Sequence, residues 1–493
     1  MSNPSHPSPD NTAQDTGRWF WLALLPFLTG LLWLGVGWNH GLLTGVFASL
    51  PGALLTASGL ALFLWPGDRQ ISHYMAFGSV LSLLLSLLML LSAGLFWGLL
   101  FAALAAANFV VSGYAALYQD VPAAGVPTPS NRIGMAAKVA IDEVLLAYFV
   151  SSANVPTGTK IAQDVAEVGE LTHALEEQGW LASPADMHRT PTAPDKFELL
   201  PREASGKNFE HLIFDSGFEP PAGLPGAQRW LDYTSNRRMH AWVFRHNGPP
   251  RPWLLGIHGY RMGVPFMDFS LFDIDYLHHK LGLNLILPIL PLHGPRRAYK
   301  RSGSGYLDGN IIDMLHAQTH ALWDVRSALA WVRQAQSAEQ VGVMGYSLGG
   351  YNTALLSSLE GDLSCAIAGI PLTDMAAAVW RHMPELQRRQ LQMQGLDVAQ
   401  IQRVLTPVSP LALTPRISHE KRYIFAATGD QLVPSDQAVR LYNHWQQPET
   451  LWYQGSHLSV RREAGVRRFV ADALANAGLR EPRHDAACGT SQA

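Results

Sequence analysis

Between Arg18 and Asp120 the chain carries only two side chains of the Asp, Glu, Lys or Arg type, the adjacent Asp68 and Arg69. Everything else in that stretch is dominated by Leu, Ala, Phe, Trp and Gly. A helix needs about 20 apolar residues to cross a bilayer, and each block on either side of the Asp68-Arg69 pair is long enough for two. The first block divides at Asn39-His40 into Trp19 to Trp38 and Gly41 to Trp65, and the second near Ser92-Ala93-Gly94 into His73 to Leu91 and Leu95 to Tyr118. The sequence therefore predicts about four transmembrane helices over residues 19–118, after a polar tail at 1–18. Pro51 falls inside the second helix, where membrane neighbours can satisfy the freed backbone. The stretch is too long for a secretory signal peptide, and its polar leader holds a single Arg. A buried helical core is the soluble alternative, disfavoured by the length of the apolar runs and the exclusion of charge.

Basic residues set the expected orientation. With four spans, Arg18, Arg69, Arg132 and Lys138 fall on the side of the N-terminus, and the other two connections hold no Lys or Arg. Positive residues stay inside, so both termini are expected in the cytoplasm, as for an integral protein of a bacterial-type inner membrane.

Elsewhere the chain is ordinary in charge. Its formal net charge of −3 points to no nucleic-acid partner. The two cysteines, Cys365 and Cys488, stand far apart and offer neither a disulfide framework nor a metal-ligand pattern. No metal or organic cofactor is implied.

Residues 119–205 read as a helical connector. "DVPAAGVPTPSNR" is Pro-rich, and helical patterns follow at Ile133 to Val150 and Thr159 to Trp180. The second carries Asp164, Glu167, Glu170, Glu176 and Glu177, read as a solvated face. The strand-like runs "EHLIF" and "HAWVFRH" then lead into a last domain placed at 206–480, with a flexible tail at 481–493.

In that domain apolar runs alternate with amphipathic segments: "WLLGIHG", "LNLILPIL", "VGVMGY", "CAIAGI", "YIFAAT" and "TLWYQ". Strands apolar on both faces and separated by helices predict a mostly parallel sheet covered on both sides, with its site at the strand C-terminal ends. Ser347 lies at one such end, in Gly345-Tyr346-Ser347-Leu348-Gly349. Small residues on either side allow the sharp turn that raises a hydroxyl above a sheet. The five-residue pattern is weak alone, so its context, strand before and helix after, carries the reading.

A serine hydroxyl needs a base, and the base an acid to orient it. "YIFAATGDQLVPSDQ" places Asp430 after a strand, and "TLWYQGSHLSV" places His457 in the turn after the next. The order Ser347, Asp430, His457 is that of one known class of serine triad. "LLGIHGYRMG" ends a strand with His258-Gly259-Tyr260, and the backbone N–H groups of Tyr260 and Leu348 are the expected oxyanion donors. His258 itself reads as a hydrogen-bonded turn histidine.

With these motifs in order, residues from about Arg251 to Arg480 resemble the α/β-hydrolase superfamily, about half the chain. The resemblance implies a serine hydrolase with catalytic Ser347, Asp430 and His457, though that fold serves many substrates and includes inactive members. The four preceding spans depart from most hydrolases of this fold, and they favour a lipid-like acyl ester or thioester substrate close to membrane lipids. A peptidase or amidase and a non-catalytic membrane adaptor are the other classes.

Several residues have competing readings. Asp436 reads as the first turn of the next helix, and Asp374 as a helix cap or an alternative triad acid. In "PLHGPRRAYKRSGSG" the basic residues Arg296, Arg297, Lys300 and Arg301 would bind substrate phosphate or carboxylate, face lipid headgroups, or line a solvated loop. "RHMPELQRRQLQMQGLDVAQIQRVL" interrupts the strand alternation and is expected to form a small helical lid near 373–416. As ordinary packing, that segment would have the same pattern.

Overall fold

The computed structural model describes residues 9–120, 122–152 and 159–480. The expected 481–493 tail, Cys488 and the first residues of the expected polar leader lie outside them. The chain divides into two compact units. The smaller one joins the residues up to Ser152 with two later loops, Ala427–Ser435 and Gln454–Arg462, and the rest forms the larger unit.

In the smaller unit four long helices follow one another: α1 (Pro9–Asn39), α2 (Leu42–Leu64), α3 (Gln70–Ser92) and α4 (Leu95–Gln119). All four are long and apolar enough to cross a membrane, with mean hydropathy between 1.7 and 2.2 over their apolar windows. The first helix starts at Pro9, inside the expected polar tail, and its membrane-competent part begins at Arg18. Pro51 sits within an uninterrupted α2.

Large apolar side chains such as Trp21, Leu42, Leu84, Leu91 and Phe96 face outward, as a lipid-facing surface requires. Inward, glycine lets α1 and α2 approach: a Cβ on Gly30 would lie 2.6 Å from the Gly52 carbonyl oxygen. Two polar pairs cross the bundle interior, Asn108 Nδ2 donating to Thr29 Oγ1 at 2.9 Å and Trp33 Nε1 to Ser82 Oγ at 2.7 Å. At one end Arg69 pairs with Asp120 and Arg18 lies over the Tyr118 ring. The start of the first span, the α2–α3 connection and the exit from α4 thus share that end. A fifth helix, α5 (Ile133–Ser152), packs on α3 and α4.

The larger unit opens with α6 (Thr159–Glu177). The acidic face of α6 departs from expectation: Asp164 is buried and accepts from Asn310 Nδ2 at 2.7 Å, and Glu167 takes both terminal nitrogens of Arg229 at 3.0 Å. Those two dock, whereas Glu170, Glu176 and Glu177 are exposed as expected of a solvated face.

Next come β1 (Glu198–Ala204) and β2 (Lys207–Asp215), joined by Ser205-Gly206. Both turn residues have positive φ, 52° and 69°, the requirement of a two-residue hairpin turn. β1 falls in the expected helical connector. Its Pro201 speaks against a strand, yet β1 is the sheet's outermost strand, where a missing N–H is tolerated.

After α7 (Ala227–Leu231) the chain runs through β3 (Arg238–Phe244), β4 (Trp253–Ile257), α8 (Pro265–Leu271), β5 (Asn284–Pro288), α9 (Ile311–Ala335), β6 (Val341–Tyr346), α10 (Leu348–Ser357) and β7 (Ala366–Gly369). Three short helices follow in the expected lid segment, α11 (Met375–His382), α12 (Glu385–Met393) and α13 (Val398–Val404). Then come β8 (Arg422–Ala427), α14 (Ser435–His444), β9 (Glu449–Tyr453) and α15 (Ala464–Asn476).

The sheet order is β1-β2-β3-β5-β4-β6-β7-β8-β9. β5, β4, β6, β7 and β8 pair in parallel, and β1, β2 and β3 form an antiparallel edge. β4, β5, β6, β7 and β8 are buried along their whole length, as strands covered on both faces must be.

Candidate active site

Order in this sheet reverses around β4: the chain makes β4, then β5 on one side of it, then β6 on the other. Ligand sites of open parallel sheets lie beside the carboxyl ends of strands at such a point. Ser347 follows β6 directly and precedes α10. Its backbone has φ 58° and ψ −115°, a region that a residue with a Cβ rarely enters.

Three hydrogen bonds hold Ser347 there. Its N–H donates to the Gly369 carbonyl at 2.9 Å, and its own carbonyl accepts from Tyr351 at 3.0 Å and Leu372 at 3.2 Å. The flanking glycines are obligatory. A Cβ on Gly345 would lie 2.1 Å from the Gly349 carbonyl oxygen, and one on Gly349 would lie 1.8 Å from that of Ile257. In a wholly buried neighbourhood Ser347 alone keeps partial exposure.

Of the two expected oxyanion donors, one follows the serine directly and the other lies in the turn that ends β4. Leu348 is the first residue of α10, so its N–H has no acceptor within the helix. The His258-Gly259-Tyr260 turn ends β4, and a Cβ on Gly259 would lie 3.6 Å from Ser347 Cβ. His258 is buried and structural. Nε2 accepts from the Leu290 N–H at 3.1 Å, which makes Nδ1 the protonated nitrogen, 2.8 Å from the Gly259 carbonyl. Burial holds its pKa down to about 4, so it stays neutral.

Asp430 and His457 sit on the two later loops of the smaller unit. His457 Nδ1 donates to Asp430 Oδ2 at 2.6 Å, and Asp430 Oδ1 accepts from the Val433 N–H at 2.7 Å. The pair fixes the tautomer and leaves His457 Nε2 to take a proton. Burial alone would lower the imidazole's pKa, but the charge and hydrogen bond of Asp430, with the Asp142 charge behind them, shift it upward overall.

The rival acids have other work. Asp374 caps α11 by accepting from the Ala377 N–H at 2.9 Å, and it also takes Gln402 Nε2 at 2.5 Å and Arg440 at 2.9 Å. Asp436 lies in the first turn of α14 and pairs with Arg440 at 3.2 Å.

Arg296 does not fit the substrate-binding expectation. The side chain is fully buried, with donors on the Ile289 carbonyl at 2.7 Å, the Asn236 carbonyl at 3.0 Å and Asp324 Oδ2 at 2.6 Å. No surface remains for a substrate. Arg297 is exposed and donates to the Gly294 carbonyl at 3.3 Å. Arg296→Met should leave the Asp324 carboxylate buried without its cation and destabilise the protein by about 3–5 kcal/mol. Urea unfolding of the two proteins measures it, and a loss below about 1 kcal/mol would contradict this role.

Among the described residues no cluster of His, Cys, Asp or Glu has the arrangement of a metal site. Burial pushes the Cys365 thiol up to about 12, so it is unreactive.

Sequence reasoning passed over Asp142. It is fully buried on α5 and accepts the backbone N–H groups of His457 at 2.8 Å, Leu458 at 3.1 Å and Gln431 at 3.3 Å. Its one sequence signal is the adjacent pair Asp142-Glu143 in a helix whose other residues are mostly apolar. Carboxylates are rarely buried without a partner.

A serine held in this strained elbow above a mostly parallel sheet makes the larger unit an α/β-hydrolase fold. The solved structures that share it include acetyl xylan esterase 1 from Thermoanaerobacterium sp. JW/SL YS485, at TM-score 0.43 and 17% identity over 61% of this chain and 93% of that one. The acetyl xylan esterase from Paenibacillus sp. R4 has TM-score 0.41 and 18% identity over 62% of this chain and 98% of its own. No protein-family model matches the chain. It does belong to the family of two Mycobacterium tuberculosis proteins, "Uncharacterized protein MT2702" of strain CDC 1551 / Oshkosh and "Uncharacterized protein Rv2627c" of strain ATCC 25618 / H37Rv. Each is 36% identical over 358 residues, 72% of this chain and 85% of the relative.

Proposed function

We propose that the protein is a membrane-anchored serine hydrolase that cleaves an ester or thioester of a lipid-like acyl group through an acyl-Ser347 intermediate. The observation that carries the reading is the backbone of Ser347, held at φ 58° and ψ −115° directly between a buried parallel strand and the first residue of a helix, as a nucleophile elbow requires. Ser347 Oγ attacks the acyl carbonyl carbon while His457 Nε2 takes its proton, and Asp430 holds the imidazole in the productive tautomer. Backbone N–H groups of Tyr260 and Leu348 stabilise the oxyanion. On collapse the leaving oxygen or sulfur departs with the proton from His457. Water then attacks the acyl carbon, gives a proton to His457 and releases the acid as Ser347 recovers its own.

The four apolar helices favour a substrate that partitions into or near the bilayer, since anchoring raises local concentration. Arg18 and Arg69 share the end of the bundle from which the chain leaves toward the hydrolase fold. Positive residues stay inside, which favours an inner membrane with the hydrolase domain in the cytoplasm.

The test is turnover by the full-length protein in detergent micelles, with nitrophenyl esters of increasing acyl length beside peptide anilides. Saturable hydrolysis of the longer esters is expected. Its kcat/KM should rise with pH through a limb above the pKa of about 6.5 of a free imidazole, because the raised pKa of His457 keeps the base protonated to higher pH. Cleavage of anilides alone would replace this reading with an amidase, and no turnover of either class would sink it.

A further inference from the structure

The smaller unit holds a second buried carboxylate beside the Asp430–His457 pair, and it comes from the far end of the sequence. Asp142 lies on α5, and 315 residues separate it from His457. Oδ2 accepts from the His457 N–H at 2.8 Å and the Gln431 N–H at 3.3 Å, and Oδ1 from the Leu458 N–H at 3.1 Å. One carboxylate therefore ties together the backbones of both loops, at His457 itself and at the residue after Asp430.

The rest of α5 and its approach segment reinforce the tie. Lys138 Nζ, one turn before Asp142, donates to the Gln454 carbonyl at 3.0 Å. The Gln454 side chain accepts from the Ser130 N–H at 2.8 Å and donates to the Thr128 carbonyl at 3.2 Å. Gly429 has no Cβ because Met135 fills that space: a Cβ there would lie 2.3 Å from Met135 Cε and 3.2 Å from Val139 Cγ2. The Gly429 N–H also donates to the Gly455 carbonyl at 3.0 Å, which joins the two loops directly.

On its other side α5 is fixed to the helical bundle. A Cβ on Gly113 of α4 would lie 1.9 Å from the Ala136 carbonyl oxygen, so the two helices touch backbone to backbone. Glu143, next to Asp142, is buried 3.6 Å from His73 Nε2 on α3. Burial pushes Glu143 up to about 8, so it sits there as a neutral acid near neutral pH.

We propose that Asp142 is a positioning residue of the hydrolase, which sets the His457 and Asp430 loops in register from a helix rooted in the apolar bundle. The inference rests on the triad reading above. Burial and the Asp430 charge push the Asp142 carboxyl up to about 7, against the opposing pull of the His457 charge and the backbone donors. The charged groups that bear on the His457 ring are Asp430 and Asp142. Those on Asp142 are Asp430 and His457, its titratable neighbour Glu143 stands protonated beside it, and Lys138 is turned to Gln454. Asp142 thus acts on the base in two ways: its acceptor atoms fix where the imidazole stands, and in its ionised form, above about pH 7, its charge helps hold the imidazolium.

The two effects separate in the variants Asp142→Asn and Asp142→Glu. Sites are first counted by fluorophosphonate titration of Ser347 in the full-length protein, and ester turnover is then expressed per titrated site across pH. Asn keeps the shape but replaces one acceptor with a donor and removes the charge. Its kcat per site is expected to fall on the order of tenfold to a hundredfold with KM little changed, and its acid limb to move to lower pH. Glu keeps the charge, so its limb stays in place while the extra methylene displaces the loops and lowers kcat. Wild-type kcat per site in Asn, or a lowered kcat with an unmoved limb, overturns the proposal. Should Asn yield no folded protein, Glu decides: a reduced kcat with the limb in place supports the proposal, and wild-type kcat overturns it. Failure of the underlying triad reading looks different, since then wild type titrates no site at Ser347.

Discussion

Ser347→Ala is expected to abolish fluorophosphonate labelling and to lower kcat on the order of 10⁶-fold, the scale on which removal of a serine nucleophile acts elsewhere. The elbow gives the reason. Its three backbone hydrogen bonds and the two glycine contacts all survive the substitution, so the variant keeps its fold and loses only Oγ. His457→Ala should fall nearly as far, because an alcohol is not nucleophilic at neutral pH without a base to take its proton. The double variant should be no worse than either single one, since nucleophile and base act as a unit. Comparable losses in all three would establish that unit. Labelling that persists in Ser347→Ala would place the nucleophile elsewhere. Separate, multiplying losses would mean that His457 serves some step other than activation of Ser347.

What could be read from the sequence, and what could not, follows the range of the interactions. The four apolar helices are legible because crossing a bilayer takes about 20 successive apolar residues, which the longest helix of the hydrolase fold, α9, lacks, and Asp68-Arg69 marks the break. The central strands are legible because burial on both faces removes polar alternation. The elbow is legible because the glycines that permit it lie within two residues of Ser347.

Arg296, Asp142 and Asp164 were out of reach for the opposite reason. Each is a charged residue whose role is set by a partner distant in sequence: Asp324, the His457 loop and Asn310. Local pattern assigns such side chains to solvent or to a ligand, since an unpaired charge is rarely buried. β1 illustrates the same limit for the backbone. Pro201 argues against a strand until the pairing with β2 shows that the strand lies at the sheet edge. The grouping of the Asp430 and His457 loops with the N-terminal residues likewise depends on contacts that no local window contains.

Gly349→Ala should be the most damaging single methyl in the chain's hydrolase fold. The added Cβ would lie 1.8 Å from the Ile257 carbonyl oxygen, 2.6 Å from its carbon and 2.9 Å from the His258 carbonyl oxygen. All three are backbone atoms, and Ile257 is held in β4 by pairing with β6. Neither side can yield by a rotamer change, so α10 must back away from the sheet, and Ser347 with it. A misfit of this kind in a packed interior costs about 3 kcal/mol or more. Gly465→Ala is the matched control: its nearest neighbour would be Leu451 Cδ2 at 4.0 Å, and it lies within α15. There the methyl should stabilise by roughly 0.4–1 kcal/mol, because alanine loses less backbone entropy than glycine on forming a helix. Urea unfolding of the two variants in detergent, followed by tryptophan fluorescence, should therefore move the midpoint in opposite directions. If Gly349→Ala unfolded with the wild type, the close approach of α10 to β4 would not be what holds Ser347 at positive φ, and the support for its role as nucleophile would fall with it.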